Sequence, residues 1–147
     1  MKGFKFKLQS VLDTREKEFE NRRLDFAAAK NKLHQANLVL KNHIDVLQKT
    51  TLSLEETLKS GGIDNTIIFI HQNYMVTVKL NIEQQKIVIS KAEEELKEKQ
   101  RLMTEAMKAL KVMEKLREKA LNEFKAEFNR QEMLMIDEIA TCRYARG

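Results

Sequence analysis

Proline and tryptophan are missing from this 147-residue chain, and glycine occurs four times, at Gly3, Gly61, Gly62 and Gly147. Average usage would supply about seven prolines and ten glycines at this length. Folds made of many short elements place those residues at their turns, so a sandwich, a barrel or a doubly wound sheet is excluded. Cysteine occurs once, at Cys142, which leaves no internal disulfide and no mark of an oxidising compartment. Its neighbours assemble no nucleophile with a base. Long apolar runs are missing too. The longest, Ile67-Ile68-Phe69-Ile70 and Met133-Leu134-Met135-Ile136, stop at four residues. That is too short for a membrane-spanning helix or the core of a secretory signal, and a cytoplasmic protein is expected.

An excess of one charge is also lacking. Lys and Arg number 27 against 22 Asp and Glu, for a net charge of +5, and the signs alternate along the chain. A nucleic-acid footprint would need a dense basic stripe, which Glu16, Glu18 and Glu20 interrupt at the one candidate. Basic residues near the termini (Lys2, Lys5, Lys7, Arg143 and Arg146) suit solvated ends or an acidic protein partner.

What the chain has is a seven-residue apolar repeat. Leu12, Phe19, Phe26, Leu33, Leu40, Leu47 and Leu54 form one series, and Ile68, Met75, Ile82, Ile89, Leu96, Met103 and Leu110 a second. Such repeats among charged residues predict a coiled coil, left-handed where the period is strictly seven. The series are mirror images: Leu40 and Ile82, Phe26 and Leu96, and Leu12 and Leu110 each lie equidistant from Gly61. With equal rise per residue in both arms, this predicts an all-α antiparallel hairpin. It is read as one domain over 1–147, with helix 1 at about 4–58, a turn at about 59–64 around Gly61-Gly62, and helix 2 at about 65–142. Positions three residues on are weaker: Ala29, Ala36, Val78, Ala92, Ala106 and Met113 suit a core, but Arg15, Arg22, His43 and Lys99 do not. At the amino end Phe4-Lys5-Phe6-Lys7-Leu8 alternates like a strand, which would have no partner, so a helix beginning anywhere from Lys2 to Ser10 is expected, with Ser10 and Asp13 as its cap pair.

The arms differ in length. Residue 121 mirrors Met1, so 122–147 form an overhang with nothing left in helix 1 to cover it, and the seven-residue spacing fails at Arg117. Leu121, Phe124, Phe128, Met135 and Ile139 then follow a looser helical spacing.

No catalytic or cofactor site emerges. His34, His43 and His71 lack metal-ligand spacing, Glu93-Glu94-Glu95 reads as a wet helical face, and Gly61-Gly62 follows a helix without a lysine, unlike a phosphate cradle. The expectation is a non-enzyme without cofactor or metal.

Beyond periodicity, the start FKFKLQSVLDTREKEFE at residues 4–20 resembles the opening of the flagellar export protein FliJ family. Gly62-Ile63, Tyr74-Met75 and Ile82-Glu83-Gln84-Gln85 after the turn, and Ile136-Asp137-Glu138 followed by Arg143, are also similar to that family. The resemblance implies a non-catalytic component of the flagellar type III export apparatus, at the membrane-associated base of the flagellum. It implies three partners: the export ATPase, whose ring it would enter like a stalk; the cytoplasmic part of the export-gate membrane protein; and export chaperones that it escorts. It would meet the membrane only through these partners. Aligned on the family's motifs, the gate-binding stripe falls at Tyr74, Val78, Asn81 and Gln85. The ATPase-binding end is expected at the termini and overhang, at Phe4, Phe6, Phe124, Phe128, Met135, Ile139 and Arg143. The alternatives are an unrelated cytoplasmic coiled-coil adaptor and the equivalent stalk of a virulence secretion system.

Overall fold

A computed structural model describes residues 3–61 and 64–146. Among them are two long helices and no strand: α1, Gln9–Lys59, and α2, Asn65–Arg146. Met1, Lys2, Gly62, Ile63 and Gly147 lie outside the described residues, and with them half of the Gly61-Gly62 turn expected from the sequence. No helix of the described residues is long and apolar enough to cross a membrane.

The helix ends follow local chemistry. α1 stops where Gly61 takes φ +73°, in the left-handed region that side chains avoid. Lys59 lies in the last turn, where a cation complements the helix dipole. α2 is capped by Asp64, whose carboxylate accepts the Thr66 N–H at 3.1 Å. No glycine or proline intervenes before Gly147, so α2 runs to Arg146, past the expected end near 142.

At the amino end α1 begins at Gln9, within the range Lys2 to Ser10 expected for its start and later than the approximate bound at residue 4. A helix continued back to residue 4 would set Lys5 on the seven-residue series, equidistant from Gly61 with Arg117. Two cations would then share one core position, which is unfavourable. Residues 4–6 instead leave the helix, with Gly3 at φ +95° and the Phe6 carbonyl accepting the Gln9 N–H at 3.1 Å. Ser10 consequently lies inside α1, where its carbonyl accepts the Thr14 hydroxyl, and the Asp13 carboxylate accepts the Gln9 side chain. The Ser10–Asp13 cap does not form.

The chain divides into two compact units, one of Arg23–Leu102 and one of the residues before and after that span. In the Arg23–Leu102 unit the buried residues are Ala29, Ala36, Val78, Ile82 and Ala92. Phe26, Leu33, Leu40, Leu47 and Leu54 on α1, with Ile68, Met75, Ile89 and Leu96 on α2, are half-buried. The alanine line, weaker by sequence, is thus the deeper one. Two helices can cover a methyl group completely, whereas a large side chain on a narrow seam keeps one edge in water. Gln85 Nε2 donates across the seam to the Ala36 carbonyl at 2.9 Å. Lys32 and Glu95 form an exposed ion pair at 3.0 Å, worth at most about 1 kcal/mol.

In the other unit Leu12, Ala106 and Met113 are buried and Phe19, Met103 and Leu110 half-buried. Beyond Met113, polar contacts replace the apolar seam. Arg117 Nε donates to Gln9 Oε1 at 3.3 Å, and its guanidinium lies 5.6 Å from the Phe4 ring centre. The residue that breaks the repeat is therefore the one that holds the amino-terminal segment.

Candidate partner-binding surfaces

Four of the expected ATPase-binding residues come together at the head of the overhang. The Phe4 and Phe124 rings lie 5.5 Å apart and tilted, and Phe124 and Phe128 stack at 6.4 Å. Phe6 lies beside them, lining a groove of about 740 Å³ with Phe4, Ala120, Glu123, Phe124 and Glu127. Residues 3–8 form this arrangement as a strap, with Phe4 and Phe6 half-buried and Lys5 and Lys7 exposed.

From Lys125 to Arg146 every residue is exposed. At about 1.5 Å per residue that is about 33 Å of helix. It carries Met133, Leu134, Met135, Ile136 and Ile139, each at least half exposed. Met135, Ile139 and Arg143 follow one another at four-residue intervals, so they share a face. Arg143 lines a shallow recess with Glu138, Ile139, Cys142 and Arg146. Arg130 donates to Glu127 at 2.6 Å, a hydrogen bond that holds the Glu127 carboxyl below the ordinary carboxylate range and raises Arg130. An apolar helical surface of this length without cover marks an interaction site.

The expected gate stripe comes out differently. Only Tyr74 is exposed; Val78 is 4% exposed, Asn81 is half-buried, and Gln85 is engaged with Ala36. Val78 and Gln85 stand three residues after Met75 and Ile82 and so belong to the seam. The four do not form one open face. What α2 does present outward is Phe69, Val76, Leu80 and Ile87, each more than half exposed. Their intervals of seven, four and seven place them on one side of the helix. The row was legible as a second repeat offset from the first, a signal the seam residues overshadow.

Among the described residues no group of three His, Cys, Asp or Glu side chains could hold a metal ion. Among the described residues no buried side-chain nitrogen or oxygen lacks a partner either.

The family model of the flagellar FliJ protein matches residues 4–147. The chain belongs to the flagellar FliJ family. No curated protein and no solved structure matches it. Membership makes the chain a component related to flagellar export and type III secretion. The match begins at Phe4, so the strap from that residue onward and the overhang both fall within the FliJ pattern.

Proposed function

We propose that this FliJ-family chain is a non-catalytic cytoplasmic adaptor at the base of the flagellum, linking the export ATPase, the export gate and export chaperones. Its two helices form an antiparallel hairpin, left-handed as the strict seven-residue period favours. The Gln85–Ala36 contact, one residue from equidistance about Gly61, supports that register.

The ATPase contact is the overhang, Phe124, Phe128, Met135, Ile139 and Arg143, while Phe4 and Phe6 lie over its head in the free chain. The observation that carries this reading is the uncovered apolar helix from Lys125 to Arg146. Each large side chain there gains about 1.5–3 kcal/mol on burial, and a lone helix of that length is marginal in water. A partner groove or ring corrects both. Arg143 and Arg146 guide an acidic entrance more than they add affinity. The gate contact is assigned to the outward row of Phe69, Val76, Leu80 and Ile87, with Tyr74 the one member of the expected stripe that reaches solvent.

Truncation after Leu121 tests the ATPase contact. A shortened chain that keeps its helicity and loses binding to the export ATPase supports it. A folded truncation that binds as the full chain does overturns it.

A further inference from the structure

The strap raises a question that the contact surface alone does not answer. Phe4 lies against Phe124, the residue from which the aromatic row and the open overhang begin. A helix or ring wall laid along Phe124 and Phe128 needs the Phe124 ring, against which Phe4 packs at 5.5 Å and a tilt of 54°. The strap is also held lightly. Its backbone hydrogen bonds among the described residues are two, Gln9 N–H to the Phe6 carbonyl and Leu12 N–H to the Leu8 carbonyl, both at its α1 end. What fixes it is side-chain contact: the Phe4 ring between Phe124 and the Arg117 guanidinium. Gly3 suits the strap through its backbone, whose φ of +95° disfavours other residues, while a Cβ there would make only ordinary contact with the Phe124 ring at 3.9 Å. The chain spends no helical hydrogen bonds on residues 4–6, so the part of the strap that reaches Phe124 can leave while Leu8 stays bonded to the Leu12 N–H at the start of α1.

We propose that residues 3–8 are an autoinhibitory strap: they cover the head of the ATPase-binding surface in the free chain and are displaced when the ATPase binds. This rests on the reading of the overhang as the ATPase contact. The strap and the partner compete for Phe124, so the apparent affinity equals the intrinsic affinity reduced by the fraction of chains whose strap is open. Arg117 is the latch. Its cation holds the Phe4 ring and its Nε holds Gln9, so removing it opens the strap from the other side.

The test compares the binding of the purified export ATPase of the same organism to four full-length chains: unmodified, Phe4→Ala, Arg117→Gln and Phe124→Ala. The chain truncated after Leu121 is measured alongside, and helicity is checked for each by circular dichroism. Phe4→Ala and Arg117→Gln are expected to tighten binding about three- to tenfold, and Phe124→Ala to weaken it. Weaker or unchanged binding by Phe4→Ala, with the truncation inactive, overturns the strap and leaves the overhang contact standing. Undiminished binding by the folded truncation overturns the contact reading itself. A Phe4→Ala chain that loses helicity is replaced by Phe4→Leu, for which tighter binding supports the strap and unchanged or weaker binding overturns it.

Discussion

The Arg23–Leu102 unit and the stretch from Lys125 to Arg146 use similar residues to opposite ends. In the first, small side chains are deepest, Ala29, Ala36 and Ala92 beside Val78 and Ile82, and the large ones line the edge. In the second, large side chains such as Met133, Met135 and Ile136 have no cover at all. Both are helical, and both carry apolar residues at helical spacing. Burial is therefore decided by whether an opposing helix is available, and the side chains then record the outcome. A seam that must close on one partner favours alanine and a fixed register. A surface awaiting another protein favours methionine and long aliphatic side chains, which adapt to an irregular contact.

The sharpest way to break this comparison is to put the same charge into both regions. Ile82→Asp buries an unpaired carboxylate and is expected to cost about 3–5 kcal/mol, enough to melt the seam in thermal denaturation followed by circular dichroism. Met135→Asp is expected to change the melting temperature hardly at all, within about 0.5 kcal/mol, because its site is open to water. Equal losses would mean that the overhang is packed as the seam is.

Enlarging a seam residue has the next largest effect. Ala92→Leu is expected to lower stability by about 1–3 kcal/mol, since the helices meet over a methyl group with no room for three more carbons. Gly61→Ala follows at about 1 kcal/mol, through the backbone alone: φ is +73° and no atom within 4 Å obstructs a Cβ. Gln85→Leu removes the donor to the Ala36 carbonyl and is expected to cost about 0.5–1.5 kcal/mol in urea titrations.

The smallest effect is acid sensitivity. Hydrogen bonds from Arg130 and Arg101 lower the Glu127 and Glu98 carboxyls relative to the unfolded chain. Their contribution to stability is thus present above the unfolded carboxylate value and lost as pH falls through the lowered one. Both pairs lie in solvent, so Glu127→Gln is expected to leave the acid limb of the stability profile nearly unchanged.

Most of the helical pattern was legible because a seven-residue period survives any local preference. All fourteen members of the two series are buried or half-buried, as the repeat requires. The deeper alanine line was harder to read, since hydrophobicity scales weight alanine lightly while close helix approach favours it. The start of α1 was legible only as a range, Lys2 to Ser10, within which Gln9 falls. It depends on Lys5 and Arg117, residues 112 positions apart whose conflict appears only once both are placed on the repeat. The overhang was legible from arm lengths, and Phe4, Phe6, Phe124 and Phe128 do come together. For the gate stripe, family alignment located a segment without fixing which helical face opens outward, so exposed Tyr74 and buried Val78 fall in one set. Val78 and Gln85 were already on the seam by their distance from Met75 and Ile82.

The most direct test of the central claim is backbone hydrogen exchange on the full chain, alone and with the purified export ATPase. The free chain is expected to protect amides around Ala29–Ala36 and Val78–Ala92, and to exchange rapidly from Lys125 to Arg146. With the ATPase bound, protection is expected to appear between Phe124 and Arg143, while the seam stays as it was. An overhang that exchanges equally fast with and without the ATPase would contradict the account.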